Sequence, residues 1–77
     1  MEENKKQFNI DLGKRVKEKR IERKWTRDYL AHMAGICDKF LYEIEVGNKG
    51  MSSETLHKVS KALEISADWL LAGLDGQ

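Results

Sequence analysis

Apolar residues recur at helical spacing along most of this 77-residue chain, and the clearest pattern lies between Thr26 and Val46. This pattern predicts two short helices joined by a tight turn. The first of them has apolar positions at i, i+1 and i+4, namely Leu30, Ala31 and Ala34. Thr26 suits its N-cap because the hydroxyl accepts from an unpaired backbone N–H. Gly35 suits its end because glycine reaches positive φ without a steric cost.

The second of these helices begins after Ile36 and ends at Gly47. Its apolar positions are Phe40, Leu41 and Ile44, and its polar positions are Asp38, Lys39, Tyr42, Glu43 and Glu45. Cys37 occupies the N-cap position, where a thiol is a weaker acceptor than a hydroxyl. Because two helices of about eight residues are not stable alone, the rest of the chain has to supply a scaffold.

One helix is predicted upstream of this pair. Residues 1–8 are polar and are expected to form a flexible N-terminal tail. Asn9 or Asp11 suits the N-cap of the helix, which then extends to about Arg23. Its inward row consists of Leu12, Val16 and Arg20. The pattern therefore directs an arginine toward the core.

Two more helices are predicted downstream. Ser52 or Ser53 caps the fourth helix, and Ser66 caps the fifth. The core row of the fourth helix is Leu56, Val59 and Leu63. One face of the fifth helix has to cover the core, and the remainder of its apolar residues forms a candidate dimer interface: Trp69, Leu70, Leu71 and Leu74. The predicted domain spans residues 9–74, followed by a flexible C-terminus at 75–77.

Length and composition favour one all-α domain. A chain of 77 residues has room for a single domain, and 35% charged residues without proline favour helices over a turn-rich sheet. No apolar run reaches the roughly 18 residues of a membrane span, and the N-terminus has no hydrophobic signal region. Cys37 is the only cysteine, which suits a reducing compartment. We therefore expect a cytoplasmic protein.

Charge is distributed unevenly although the net charge is only +1. Residues 14–27 carry eight basic and two acidic side chains, a local charge of +6. Residues 28–77 carry four basic and eight acidic side chains, a local charge of −4. Such a basic segment forms either a phosphate-facing patch or an ordinary solvated helix surface.

Neither catalysis nor cofactor binding is predicted. His32 and His57 are isolated, and no second metal ligand lies at a matching spacing. The carboxylates of the third helix have no glycine-rich phosphate loop and no Ser/His/Asp set near them. We therefore expect a protein without enzymatic activity, cofactor, metal or small-molecule ligand.

The stretch from Thr26 to Val46 resembles the helix-turn-helix of the Cro and phage-repressor family of DNA-binding transcriptional regulators. Counted from Arg27, the small residue of the motif falls at the fifth position (Ala31) and the turn glycine at the ninth (Gly35). The apolar positions of the motif also match, at Leu30, Ala34, Ile36, Leu41 and Ile44. The flanking segments resemble the family's first, fourth and fifth helices, so the resemblance covers about residues 12–73.

The resemblance implies a compact five-helix bundle of the lambda-repressor-like type, with the helix-turn-helix formed by helices 2 and 3. It implies a bacterial or phage regulator, of the repressor type, that binds double-stranded DNA as a weak homodimer. The recognition helix, about residues 37–46, would lie in the major groove. The implied base contacts are Asp38, Lys39, Tyr42 and Glu43, and the implied phosphate contacts are Thr26, Arg27, Asn48 and Lys49. The family also implies a partly buried ion pair between Arg20 and Glu45.

Two positions depart from the family pattern. Lys24 stands where the family usually has glycine, and the recognition surface carries the two acids Asp38 and Glu43, which repel phosphate. Two alternative functions stay open at this point, the first of them because of the acidic surface. One is a helix-turn-helix module that binds protein, as an antitoxin does, and the other is the N-terminal DNA-binding fragment of a larger regulator.

Overall fold

The computed structural model describes the backbone of residues 2–72 and the side chains of residues 6–71. Its five helices are α1 (Glu2–Glu22), α2 (Arg27–Ala34), α3 (Asp38–Glu45), α4 (Ser53–Leu63) and α5 (Ala67–Ala72). No strand occurs within residues 2–72. The predicted all-α fold of five helices is confirmed. No helix in this part of the chain is long and apolar enough to cross a bilayer.

The caps of the central and C-terminal helices agree with the sequence. The Thr26 hydroxyl accepts from the backbone N–H of Tyr29, and the Ser52 hydroxyl accepts from that of Thr55. Gly35 ends α2 in the left-handed conformation with φ 72°. Local side-chain chemistry thus fixes the boundaries of α2 and the start of α4.

The start of α1 differs from the prediction. The helix begins at Glu2, so the N-caps predicted at Asn9 and Asp11 are wrong, and both residues lie inside it. The Gln7 amide donates to the Asp11 carboxylate at 3.0 Å, a contact across one helical turn. Polar residues with good helix propensity extend α1 although they have no apolar stripe.

A single apolar core lies between the helices. Among residues 6–71, ten buried side chains form it: Leu12, Val16, Leu30, Ala31, Ala34, Leu41, Ile44, Val59, Leu63 and Leu70. Trp25 packs against this cluster from the α1–α2 connection, and its ring meets that of Tyr29 edge to face at 4.9 Å. Lys24, just before it, has φ 60°, the left-handed conformation that glycine adopts more easily.

A buried ion pair ties α1 to α3. The Arg20 Nε donates to Glu45 Oε2 at 2.7 Å, and Nη2 donates to Oε1 at 3.1 Å. A third donor of Arg20, Nη1, reaches the Trp25 carbonyl at 2.8 Å. The pairing that the resemblance implied is therefore present, with every side-chain nitrogen of Arg20 occupied.

Most arginines of the basic segment 14–27 bind within the protein. Arg15 donates to the carbonyls of Leu70 and Leu71 at the end of α5, and Arg23 donates to the Leu63 carbonyl at the end of α4. The Lys19 ammonium lies 4.6 Å from the centre of the Trp69 ring. The two arginines satisfy unpaired carbonyls at helix C-termini, and the lysine packs on an aromatic ring, so the segment is neither a phosphate patch along its whole length nor simply a solvated surface.

The orientation of α5 shows that part of the predicted dimer interface is wrong. Leu70 is completely buried within the protomer, so it belongs to the core and cannot contribute to an exposed surface. Leu71 is 37% exposed, and Trp69 is half-buried beneath Lys19. Leu74 and residues 75–77 lie outside the described residues.

Candidate nucleic-acid interface

The helix pair α2–α3 presents one side of α3 to solvent. Leu41, Ile44 and Glu45 face the interior and are buried, which fixes the rotation of the helix about its axis. The opposite side carries Asp38, Lys39 and Tyr42, which are exposed, and Glu43, which is half-buried. All four residues predicted to contact bases therefore lie together on one accessible surface, which we call the α3 face.

The start of α3 has a sulfur cap. Cys37 is exposed, and its Sγ accepts from the backbone N–H of Phe40 at 3.4 Å. The cap holds the first turn of the helix with a weaker bond than a hydroxyl would make. The exposed side chains of Asp38 and Lys39 project from this turn.

Arg27, at the start of α2, reaches across to α3. Its Nε lies 3.6 Å from Asp38 Oδ1, and its guanidinium carbon lies 5.0 Å from the centre of the Tyr42 ring. The Nε is buried and has no hydrogen-bond partner within the described residues, because the carboxylate stands just beyond bonding distance. A predicted phosphate contact and two predicted base contacts are therefore in direct contact with one another.

This contact changes the electrostatics of the α3 face. The positive charge of Arg27 offsets the negative charge of Asp38, which would otherwise repel a phosphate backbone. The pair is more than one-third exposed on each side, so the attraction between the two charges is modest. This pairing could not be predicted from the sequence, because it depends on how α2 and α3 cross.

The segment after α3 carries two more of the predicted phosphate contacts. Asn48 and Lys49 are both exposed, and the Asn48 amide donates to Glu43 Oε1 at 3.1 Å. The backbone N–H groups of both residues donate to the Glu43 carbonyl, at 2.9 and 3.2 Å. The second acid of the α3 face thus has a polar partner that orients it.

A shallow groove of about 430 Å³ runs beside this segment. Its lining residues are Cys37, Lys39, Phe40, Glu43 and Lys49. Two ammonium groups and one carboxylate line it, with the Phe40 ring as its apolar wall. The groove therefore suits a polar, mainly anionic ligand group better than an apolar one.

Thr26 completes the predicted phosphate contacts. Its hydroxyl oxygen is used as the N-cap of α2, while its proton stays available to an external acceptor such as a phosphate oxygen. Counted together, Arg27, Lys39 and Lys49 carry three positive charges beside the two negative charges of Asp38 and Glu43. The surface is therefore close to neutral, which favours selective contacts over indiscriminate attraction to polyanions.

Comparison with known proteins agrees with this arrangement. The family model for a helix-turn-helix domain matches residues 13–76. The solved structure of the P22 c2 repressor protein, in complex with synthetic operator 9T, is 31% identical, with a TM-score of 0.77 over 80% of this chain and 94% of that chain. The restriction-modification controller protein C.AhdI from Aeromonas hydrophila is 24% identical, with a TM-score of 0.78 over the same shares of the two chains. No curated protein sequence matches the chain.

Proposed function

The chain belongs to the helix-turn-helix domain family, and from this premise we propose that it is a transcriptional regulator that binds double-stranded DNA sequence-specifically. The observation that carries the proposal is the α3 face. One side of α3 is fixed in the core, and the polar side is exposed between donors at the start of α2 and after the end of α3. This is the geometry in which a recognition helix enters the major groove.

The residues of the α3 face and of the segments beside it divide by role. Lys39 would donate to guanine O6 and N7, and Glu43 or Asp38 would accept from cytosine N4. Asp38 and Tyr42 complete the base-facing set. Arg27 would bind a phosphate at the edge of the groove through the exposed part of its side chain, since its Nε is buried beside Asp38. Thr26, Asn48 and Lys49 supply the other phosphate donors.

Repression is the mode of regulation that we propose, by analogy with the P22 c2 repressor, whose structure contains operator DNA. Two protomers would bind two half-sites, since one short recognition helix contacts only a few base pairs. The dimer surface would include Leu71 and the exposed part of Trp69. A DNA-binding regulator of this kind acts in the cytoplasm.

An unbiased selection tests the function. The purified protein is equilibrated with a pool of random duplexes at low and moderate salt, and the bound duplexes are sequenced. We expect an enriched inverted repeat. Absence of DNA binding at every salt concentration would contradict the proposal and would favour a protein-interaction module on the same fold.

A variant then tests the site. Replacing Arg27 with alanine should weaken binding to the selected sequence and to random DNA by the same factor. It should also lower the slope of log K against log salt by about 0.9 for each bound protomer. The matched control is Lys61→Ala, which removes an exposed cation from the last turn of α4. Equal effects of the two variants would show that Arg27 makes no specific phosphate contact.

A further inference from the structure

The first half of α1 lies outside the segment that the family model matches. That segment begins at residue 13, whereas α1 begins at Glu2. Residues 2–8, the first two turns of this part, continue the same helix and have no apolar stripe to bury. Their position therefore depends on what the adjoining turns of α1 pack against.

Those adjoining turns pack directly on the segment that follows α3. A Cβ atom at Gly47 would lie 2.8 Å from the Ile10 Cα, and one at Gly50 would lie 2.8 Å from the Asn9 side-chain oxygen. At Gly47 this close approach to the α1 backbone requires glycine, whereas at Gly50 the neighbour is the end of the Asn9 side chain, which can move. Asn48 and Lys49 lie between these two glycines, so α1 passes beside both predicted phosphate donors.

Helical geometry places one further cation on this side of α1. Lys6 precedes Asn9 by three residues and Ile10 by four, so it lies on the same face, about 5 Å nearer the N-terminus. Its side chain is exposed. Gln7 and Phe8 occupy other faces of the helix at that level.

We propose that Lys6 binds a DNA phosphate next to the phosphates bound by Asn48 and Lys49. The proposal rests on the proposed function. Phosphates follow each strand at about one per 3.4 Å of helix axis. Lys6 lies one turn of α1 beyond Asn9, a distance of about 5 Å. Its ammonium group therefore reaches one or two phosphates further along the same DNA strand. The helical extension thereby lengthens the contacted backbone without adding a base contact.

The test measures how binding to the selected duplex depends on salt. For Lys6→Gln we expect the slope of log K against log salt to fall by about 0.9 per bound protomer. Affinity at low salt should fall about threefold or more, equally for selected and random DNA. Lys17→Gln is the matched control, because it removes an exposed cation from α1 with the same change of side chain, eleven residues from Lys6. It should leave the slope unchanged.

A neutral-phosphate scan locates the contact. Methylphosphonate is placed at one position at a time along the duplex, and wild type should lose affinity at one flanking position where Lys6→Gln loses none. Lys6→Arg should retain the wild-type slope, since it keeps the charge. An unchanged slope in Lys6→Gln, or equal sensitivity of both proteins at every phosphate, would overturn the proposal while leaving DNA binding intact. Failure of wild type to bind any duplex would instead reject the proposed function.

Discussion

Replacement of Glu45 by alanine is expected to remove a large part of the stability of the fold. The Glu45 side chain is only 2% exposed and accepts two hydrogen bonds from Arg20, whose side chain is 10% exposed. Its removal leaves the guanidinium buried with the Trp25 carbonyl as its remaining partner. Breaking a buried pair in this way costs about 3–5 kcal/mol. A domain of this length has a free energy of unfolding of roughly 4–12 kcal/mol.

The measurement is urea unfolding of wild type and Glu45→Ala, followed by circular dichroism. We expect the free energy of unfolding to fall by more than about 2 kcal/mol. Glu54→Ala is the control, because Glu54 is paired with Lys58 at 3.6 Å but its side chain is 79% exposed. An exposed i, i+4 pair contributes about 0.3–0.5 kcal/mol. The two glutamates thus separate the effect of burial from the effect of pairing.

A double variant tests the cause of the loss. In Arg20→Met/Glu45→Leu, both charges are replaced by apolar side chains, so no charge is left buried without a partner. Such exchanges are often neutral or stabilising by about 1–4 kcal/mol. We therefore expect the double variant to be more stable than Glu45→Ala. A loss below about 0.5 kcal/mol in Glu45→Ala would refute the reasoning, since it would mean that water reaches the pair.

Three further predictions concern other parts of the molecule. Glu43→Gln should raise affinity for random DNA and lower discrimination at one base pair by about 1–3 kcal/mol in titrations of single-base operator variants; a parallel change on all DNAs would show that Glu43 reads no base. Lys24→Gly should raise the free energy of unfolding by up to about 1 kcal/mol, because φ at this position is 60°; thermal melts beside Lys17→Gly, which should be destabilised, check it. Leu71→Glu should shift a concentration-dependent monomer–dimer equilibrium toward monomer in sedimentation experiments, whereas Ile21→Glu, at another exposed apolar side chain, should not.

The sequence was informative where local chemistry decides the structure. The caps at Thr26 and Ser52 and the left-handed Gly35 depend on neighbouring residues alone, and the structure contains all of them. The inward direction of Arg20 followed from its row on α1. The start of α1 was missed, because a polar helix has propensity but no apolar period to reveal it.

Relations between elements were harder to predict. The contact of Arg27 with Asp38 depends on the crossing of α2 and α3, and the burial of Leu70 depends on which face of α5 meets the core. Likewise, Arg15 and Arg23 were counted as a basic patch, although they donate to carbonyls more than 35 residues away in the sequence. The spacing of residues along a chain does not determine the angle at which two helices cross. The sequence therefore predicted which residues belong to the site, but not which of them contact one another.

The two ends of α3 are held unequally, and this has a consequence for local opening. At the C-terminal end, Ile44 and Glu45 are buried, and α1 passes so close that a Cβ at Gly13 would lie 2.8 Å from the Glu45 carbonyl oxygen. At the N-terminal end, an exposed thiol provides the cap. Amide protons of the first turn should therefore exchange with solvent through small fluctuations, and those of the last turn only through much larger opening. The recognition helix can then adjust Asp38 and Lys39 to the local shape of a groove while its far end stays in register with the body of the protein.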